Sequence, residues 1–178
     1  MNFYSQLRQD EWVCNMLRNK TNGVWVDIGC KGPVDINNTY ALESQLGWSG
    51  LSLDISQEDI DLWEGQRSTE GLVCADALTI DYEKWFSEND LPAVVDYLSL
   101  DLEPPTVTLE ALYRIPFDKY KFRCITYETD SYRNMNTEQP SRDYLTSKGY
   151  LLTGSMGVGE NPQDDFWILP ETEEEFNG

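Results

Sequence analysis

The chain predicts a doubly wound α/β fold: a mostly parallel sheet with helices on both faces and an antiparallel hairpin at its C-terminal end. Three observations predict it. Short apolar runs alternate with amphipathic segments five times between residues 24 and 149. Each run ends at or next to an acid, namely Asp27, Asp54, Asp76, Asp101 and Glu128. After the fifth alternation come two runs joined by a glycine-rich connection with no helix between them, and strands so joined pair antiparallel.

The elements follow in order. Residues 5–20 read as a leading helix with Trp12, Val13, Met16 and Leu17 on one stripe, broken by Thr21, Asn22 and Gly23. Val24–Ile28 is nearly unbroken in apolar residues, as a central parallel strand buried on both faces requires. A helix over residues 39–46 stops at Gly47. Residues 51–54 form the second strand, 57–63 a helix, 72–75 the third strand and 82–86 part of another helix. Val94–Leu100 is the fourth strand, and a helix over 106–114 follows. Pro105 suits the first turn of that helix, where a missing N–H costs nothing. Residues 122–127 form the fifth strand, and a helix over 141–148 stops at Gly149. The hairpin is expected from 150–153 and 165–169. Its glycine-rich connection, 154–159 with Asn161 and Pro162, reads as a loop, or as a lid over an acceptor. Residues 171–178 are acidic and expected to fray. Trp25 and Trp167 are expected in the core, and Trp48 in packing. No repeat or linker interrupts the pattern, so a single domain spans residues 1–178.

Composition removes whole classes of function. Apolar content of 40% with 12% aromatics excludes disorder. A net charge of −19 repels phosphate backbones and anionic membrane faces, so neither nucleic acid nor membrane is expected as a partner. The plain reason for so much charge is solubility, and a cationic ligand is attracted by it. The absence of histidine removes Ser-His-Asp and Cys-His nucleophiles and His-ligated metals. The four cysteines, Cys14, Cys30, Cys74 and Cys124, form no CxxC pair, and Cys74 and Cys124 lie in apolar runs where buried free thiols are common. A reducing, cytoplasmic setting is expected. The first six residues lack the apolar core of a signal peptide, and no stretch reaches membrane-spanning length.

Carboxyl ends of parallel strands form the rim where such sheets bind ligands, and the switch point falls between the first and fourth strands. Asp27 is followed by Gly29 and Gly32, which let backbone approach a ligand, and Asp54 is placed to hold two ribose hydroxyls. Each acid also has a plain reading. Asp27 or Asp101 can be a cap, Asp54 a solvated loop acid, Asp76 a turn opener, and Glu128 with Asp130 a polar strand end.

Several segments, in order, resemble the FkbM-type S-adenosylmethionine-dependent methyltransferase family. They are Ser5-Gln6 with Gln9-Asp10, then Val26-Asp27-Ile28-Gly29, residues 38–43 beginning Asn38-Thr39-Tyr40, and Leu46-Gly47-Trp48-Ser49-Gly50. The fourth-strand segment from Val95-Asp96-Tyr97 to Asp101-Leu102-Glu103 matches best, followed by Ile125-Thr126-Tyr127-Glu128 and Lys148-Gly149-Tyr150. The resemblance implies a Rossmann-like, class I methyltransferase-like fold, S-adenosylmethionine as cofactor, and methyl transfer to an oxygen of a sugar or small metabolite. Carried over, Asp27 and Gly29 line the methionine end of the cofactor, with Asn38 among its contacts. Asp54 takes the ribose, Asp76 and Ala77 lie against adenine, and Asp101 and Glu103 face the reacting methyl. The chain departs from the family at Glu103-Pro104-Pro105, where the family has glutamate followed by glycine, so the loop beside the acceptor differs. It also has Asp54-Ile55-Ser56 where the family has glutamate followed by proline.

Methyl transfer needs little covalent help, since positioning alone supplies roughly 7–11 kcal/mol in favourable cases. A carboxylate can take the acceptor's proton, and without histidine the candidates are Asp101, Glu103 and Glu128, with Asp101 the expected anchor and Glu103 or Glu128 the base. The same acids with Asp130 offer an oxygen-only set for Mg²⁺ or Ca²⁺ as an alternative. Two rival functions share the fold. A nicotinamide-dependent oxidoreductase expects GxGxxG after the first strand, and Gly29-Cys30-Lys31-Gly32 fits it poorly. The other is a nucleotide- or metabolite-binding module without turnover.

Overall fold

The structure, a computed structural model, describes residues 1–133, 135–158 and 161–177. Its strands are β1 (Val24–Ile28), β2 (Ser49–Asp54), β3 (Leu72–Cys74), β4 (Val94–Leu100), β5 (Lys121–Glu128), β6 (Leu151–Val158) and β7 (Asn161–Ile168). Its helices are α1 (Gln9–Met16), α2 (Tyr40–Leu46), α3 (Gln57–Asp61), α4 (Tyr82–Glu88), α5 (Pro105–Arg114), α6 (Glu138–Ser147) and α7 (Pro170–Asn177). The strands form one sheet in the order β3-β2-β1-β4-β5-β7-β6. β1 to β5 pair in parallel, and β7 enters antiparallel between β5 and β6. The switch point is the β1–β4 junction, as expected, with Asp27 in register with Ser99.

Alternation along each strand splits the core in two. Val26, Ile28, Leu53 and Leu100 face one side, where Phe86 and Leu112 pack on them. Trp25, Tyr97 and Cys124 face the other, against Val13 and Leu17 of the leading segment and Leu42 of α2. Each such side chain, fully buried, contributes roughly 1.5–3 kcal/mol. At the bottom of the sheet Asp96 accepts from the Val24 N–H at 2.9 Å and pairs with Lys20 at 2.6 Å, which fixes the register of β4 beside β1. Trp25, Trp48 and Trp167 are buried, in accord with the sequence reading.

Four expectations change. The leading helix is shorter than 5–20: Arg8 is left-handed at φ 62°, and Asp10 turns back to accept from the Tyr4 N–H at 2.7 Å, so helix begins only at Gln9. The acidic tail is helical rather than frayed. Pro170 opens α7, Thr172 is buried, and Phe176 packs beside the Trp25 cluster; acids in a first turn suit the positive end of a helix. The glycine-rich stretch does not form a loop or a lid over 154–158. It is strand, paired along β7 with register shifts at Leu152/Gly154 and Met156/Gly157, because bulges accommodate glycines inside a strand. Asn161 and Pro162, expected in the same connection, open β7, and Gly159 lies outside the described residues. Cys74 is exposed, not buried, because β3 is an edge strand; all four cysteines are free thiols. No helix among the described residues is long and apolar enough to cross a membrane.

Candidate active site

The strand-end acids gather on one rim. Asp27 is the penultimate residue of β1 and Asp54 the last of β2, Asp76 lies just beyond β3, Asp101 just beyond β4, and Glu128 at the end of β5. Because β7 runs the opposite way, it delivers a further acid to the same rim: Asp164 pairs directly across from Glu128.

The β1–β2 side is built from backbone donors. Gly29 adopts φ +89°, and a Cβ there would overlap the Asp101 carbonyl oxygen, so only glycine lets the end of β1 close against the end of β4. A Cβ at Gly32, in contrast, would meet nothing within 4 Å, leaving open space beside the loop. The loop is pinned from behind by Asn37, whose Nδ2 donates to the carbonyls of Cys30 at 3.0 Å and Gly32 at 2.9 Å. Its Oδ1 accepts from the N–H groups of Thr39 and Tyr40, opening α2. Asp54 is buried; its Oδ2 accepts from the Lys31 N–H at 2.9 Å and its Oδ1 from the Ser56 N–H at 2.8 Å. Ile55 beside it is 69% exposed, an apolar side chain left open at the rim.

Asp27 is only 1% exposed and lies beneath the 37–39 turn, its Oδ2 3.2 Å from the Thr39 hydroxyl. Burial raises its pKa to about 6, against the opposing pull of Ser99 and of Arg67. The Arg67 side chain is itself buried, pairs with Glu43 at 2.5 Å, donates to Asn37 at 2.9 Å, and lies 4.0 Å from the Trp63 ring centroid. Asp27 therefore supports the loop from inside rather than presenting its carboxylate to the rim. Asn38 is likewise buried, donating to the Ser99 hydroxyl at 3.1 Å. Asp76 accepts from the Leu78 N–H at 2.8 Å and so opens a turn, and Ala77 is buried beside it.

The β4–β5–β7 side is built from carboxylates facing one another. Burial first, then the charge of Asp101, raises the Glu128 pKa to about 9, and one Glu128 carboxylate oxygen is buried with no hydrogen-bond partner. Burial and then Asp101 push Asp164 up to about 7, although Gln9 donates to it at 2.5 Å. Like charges directly opposite on paired strands repel, and a shared proton relieves that repulsion. Glu128 is thus held protonated at neutral pH, which counts against it as a base. Glu103 is exposed and pairs with Arg133 at 3.3 Å.

Glu103, Glu128 and Asp130 bring carboxylate oxygens within 4.8 Å of one another. A guanidinium already serves that cluster, since Arg133 pairs with Asp130 at 2.8 Å as well as with Glu103. Arg133 thus supplies the counter-charge that Mg²⁺ would otherwise bring to this cluster.

The structure brings Asp54, Asp101, Glu103 and Glu128 to one mouth, with Gly29 at its seam, and sets Asp27 and Asn38 behind it. Sequence reading missed Asn37, Arg67 and Asp164. Arg67 stands in an irregular segment with no periodic signal, and Asp164 reads as part of a hairpin connection unless β7 is known to lie beside β5. A cavity of about 270 Å³ opens at the opposite end of the strands, walled by Trp25, Trp48, Trp63, Gly50 and Gly71, away from all these acids. At the rim itself, open space at Gly32, an orphaned buried carboxylate oxygen on Glu128 and an acidic lining suit a ligand with ribose hydroxyls and positive charge, which S-adenosylmethionine is.

No family model matches the chain. No curated protein matches it either. Solved structures match over almost the whole length. A Clostridium thermocellum protein described as an rRNA methylase aligns with TM-score 0.61 at 16% identity, covering 95% of this chain and 97% of its own. TrmK of M. capricolum, solved with S-adenosyl-homocysteine, aligns with TM-score 0.53 at 16% identity, covering 88% of this chain and 66% of its own. A TehB-like SAM-dependent methyltransferase from Corynebacterium glutamicum aligns with TM-score 0.55 at 11% identity over 94% of this chain and 88% of its own. The fold is that of the class I methyltransferases, with the seven-stranded sheet and reversed hairpin that the sequence predicts. Proteins described as rRNA methylases share it, so the expectation that nucleic acid is excluded, drawn from net charge alone, is not supported.

Proposed function

We propose that the chain is an S-adenosylmethionine-dependent methyltransferase acting on an oxygen of a small hydroxylated molecule or sugar. The observation that carries this reading is the two-part rim: a glycine seam and a buried Asp54 on one side, and the crowded carboxyls of Asp101, Glu128 and Asp164 on the other, meeting where Gly29 touches Asp101. The shared fold supports the cofactor, and neither the acceptor nor the residue roles follow from it.

Asp54, already oriented by two backbone N–H groups, has lone pairs left for ribose hydroxyls, and exposed Ile55 offers an apolar surface beside it. When bound, the cofactor supplies an electrophilic methyl: the acceptor oxygen forms the new C–O bond while the sulfur keeps the electron pair of the broken S–C bond. The proton leaving the acceptor goes to the Asp101 carboxylate, and Glu128 holds its own proton against it by hydrogen bonding. The acidic mouth favours a neutral or cationic acceptor over a polyanion.

Two measurements test the proposal. A thermal shift with S-adenosylmethionine and S-adenosylhomocysteine, and none with NAD, is expected; a shift with NAD alone would favour the oxidoreductase. Labelled methyl from the donor is then offered to hydroxylated metabolites, glycans and RNA. Transfer to the small acceptors, lowered roughly 10²-fold or more in Asp101→Asn, is expected. Transfer to RNA alone would overturn the acceptor class, and binding without any transfer would leave a module without turnover.

A further inference from the structure

Among the described residues, two cations form ion pairs with carboxylates on the β4–β5 side of the rim: Arg133 and Lys31. They are held differently. Arg133 has two carboxylate partners, Asp130 at 2.8 Å and Glu103 at 3.3 Å. Lys31 has a single longer contact, Nζ to Asp101 Oδ1 at 3.4 Å, and its side chain is 53% exposed.

The backbone of Lys31, in contrast, is fixed. Its N–H donates to Asp54 at 2.9 Å, and its carbonyl accepts from the Trp63 indole at 2.9 Å. It holds a left-handed φ of 49°, a conformation that side chains other than those of Asn and Asp rarely adopt. The fixed backbone of Lys31 thus lies against Asp54 while its half-exposed ammonium reaches Asp101, two carboxylates of the proposed cofactor site. Partial burial works against this charge, and Asp101, Glu128 and Glu103 outweigh that cost, so the net effect is to hold the proton on.

We propose that Lys31 is a tethered counter-ion that reads the charge state of the cofactor. Its ammonium neutralises Asp101 when the neighbouring ligand is an uncharged thioether, and is repelled when that ligand carries a sulfonium. Lys31 therefore lowers the preference of the site for methyl donor over demethylated product. This rests on the methyltransferase reading above and adds to it a residue that sets the donor-to-product ratio. The principle is Coulombic: two like charges several ångströms apart in a partly solvated cleft repel measurably, and salt screens the effect.

The test is the dissociation constants of S-adenosylmethionine and S-adenosylhomocysteine, measured by calorimetry at low and high salt. The proteins compared are wild type, Lys31→Gln, Lys31→Asn and Lys31→Arg. Asparagine tolerates the left-handed backbone, so Lys31→Asn removes the charge without adding strain. In the two neutral variants the preference for donor over product is expected to rise roughly 3- to 10-fold at low salt and to shrink toward wild type at high salt. Lys31→Arg is expected to keep the wild-type ratio. An unchanged ratio in a neutral variant that melts like wild type would overturn the inference, as would an equal rise in Lys31→Arg. Failure of wild type to bind either ligand would instead overturn the methyltransferase reading, a result visible before any variant is made.

Discussion

The two sides of the rim satisfy their acids in opposite ways. On the β1–β2 side, Asp54 accepts from two backbone N–H groups, and Asp27 lies near the buried guanidinium of Arg67. On the β4–β5–β7 side, Glu128 and Asp164 lie opposite each other on paired strands, and burial first, then the charge of Asp101, raises both. The first side is fixed before a ligand arrives. The second stores electrostatic repulsion that a proton or a cation relieves. A site that must grip one molecule and accept a proton from another gains from that division, since a rigid holder positions and a crowded carboxylate takes protons readily.

Gly29 joins the two sides, so the largest effect is expected from Gly29→Ala. Left-handed strain of roughly 1–3 kcal/mol adds to an overlap with the Asp101 carbonyl costing roughly 1–3 kcal/mol. A loss of about 4 kcal/mol is expected in chemical denaturation; a loss below about 1 kcal/mol would show that the sides are not so closely joined.

Arg67→Met comes next. It leaves Glu43 and Asp27 without their buried counter-charge, and a loss of about 3 kcal/mol is expected by the same measurement. An unchanged stability would remove the distinction drawn for the β1–β2 side.

The third effect is on pH dependence. Asp164 rises from 3.8 to about 7 in the folded chain, and Glu128 also rises. A carboxyl raised on folding binds its proton more tightly folded than unfolded. Its contribution is therefore fully present below the unfolded value and is lost as pH climbs through the folded one. Wild type is expected to lose stability between about pH 4 and about pH 9 from this group. Glu128→Gln is expected to flatten that slope and to gain roughly 1 kcal/mol near pH 8. A steeper slope in Glu128→Gln, read from melting curves across pH, would contradict the crowding.

The smallest effect separates two roles of Asp76. Asparagine still accepts from the Leu78 N–H, so Asp76→Asn is expected to melt within about 0.5 kcal/mol of wild type. Weaker cofactor binding at unchanged stability would give Asp76 the adenine contact, and unchanged binding would leave it a turn opener.

Much of the strand frame under both sides was legible in the sequence. Val24–Ile28 and Val94–Leu100 match the strands residue for residue, because unbroken apolar runs between turn residues leave a buried parallel strand little freedom. Gly47 ends α2 in the left-handed conformation, as its position suggests. The second side was legible only in part. Glu128 and Asp101 stand at strand ends, but Asp164 reaches them through a long-range antiparallel pairing that no local pattern encodes. Arg67 was invisible for the same reason: its partners Glu43 and Asn37 are 24 and 30 residues away in sequence. The helical tail is not legible from its charge, because the contacts that anchor it, those of buried Thr172 and of Phe176, are tertiary.

The most direct measurement is a crystal structure with S-adenosylhomocysteine bound. The expected density runs from Asp54 and Ile55 to the seam where Gly29 meets Asp101, with the thioether facing Asp101 and Glu128. Density in the tryptophan-walled cavity at the other end of the strands, with the rim empty, would contradict the division between holding and accepting sides.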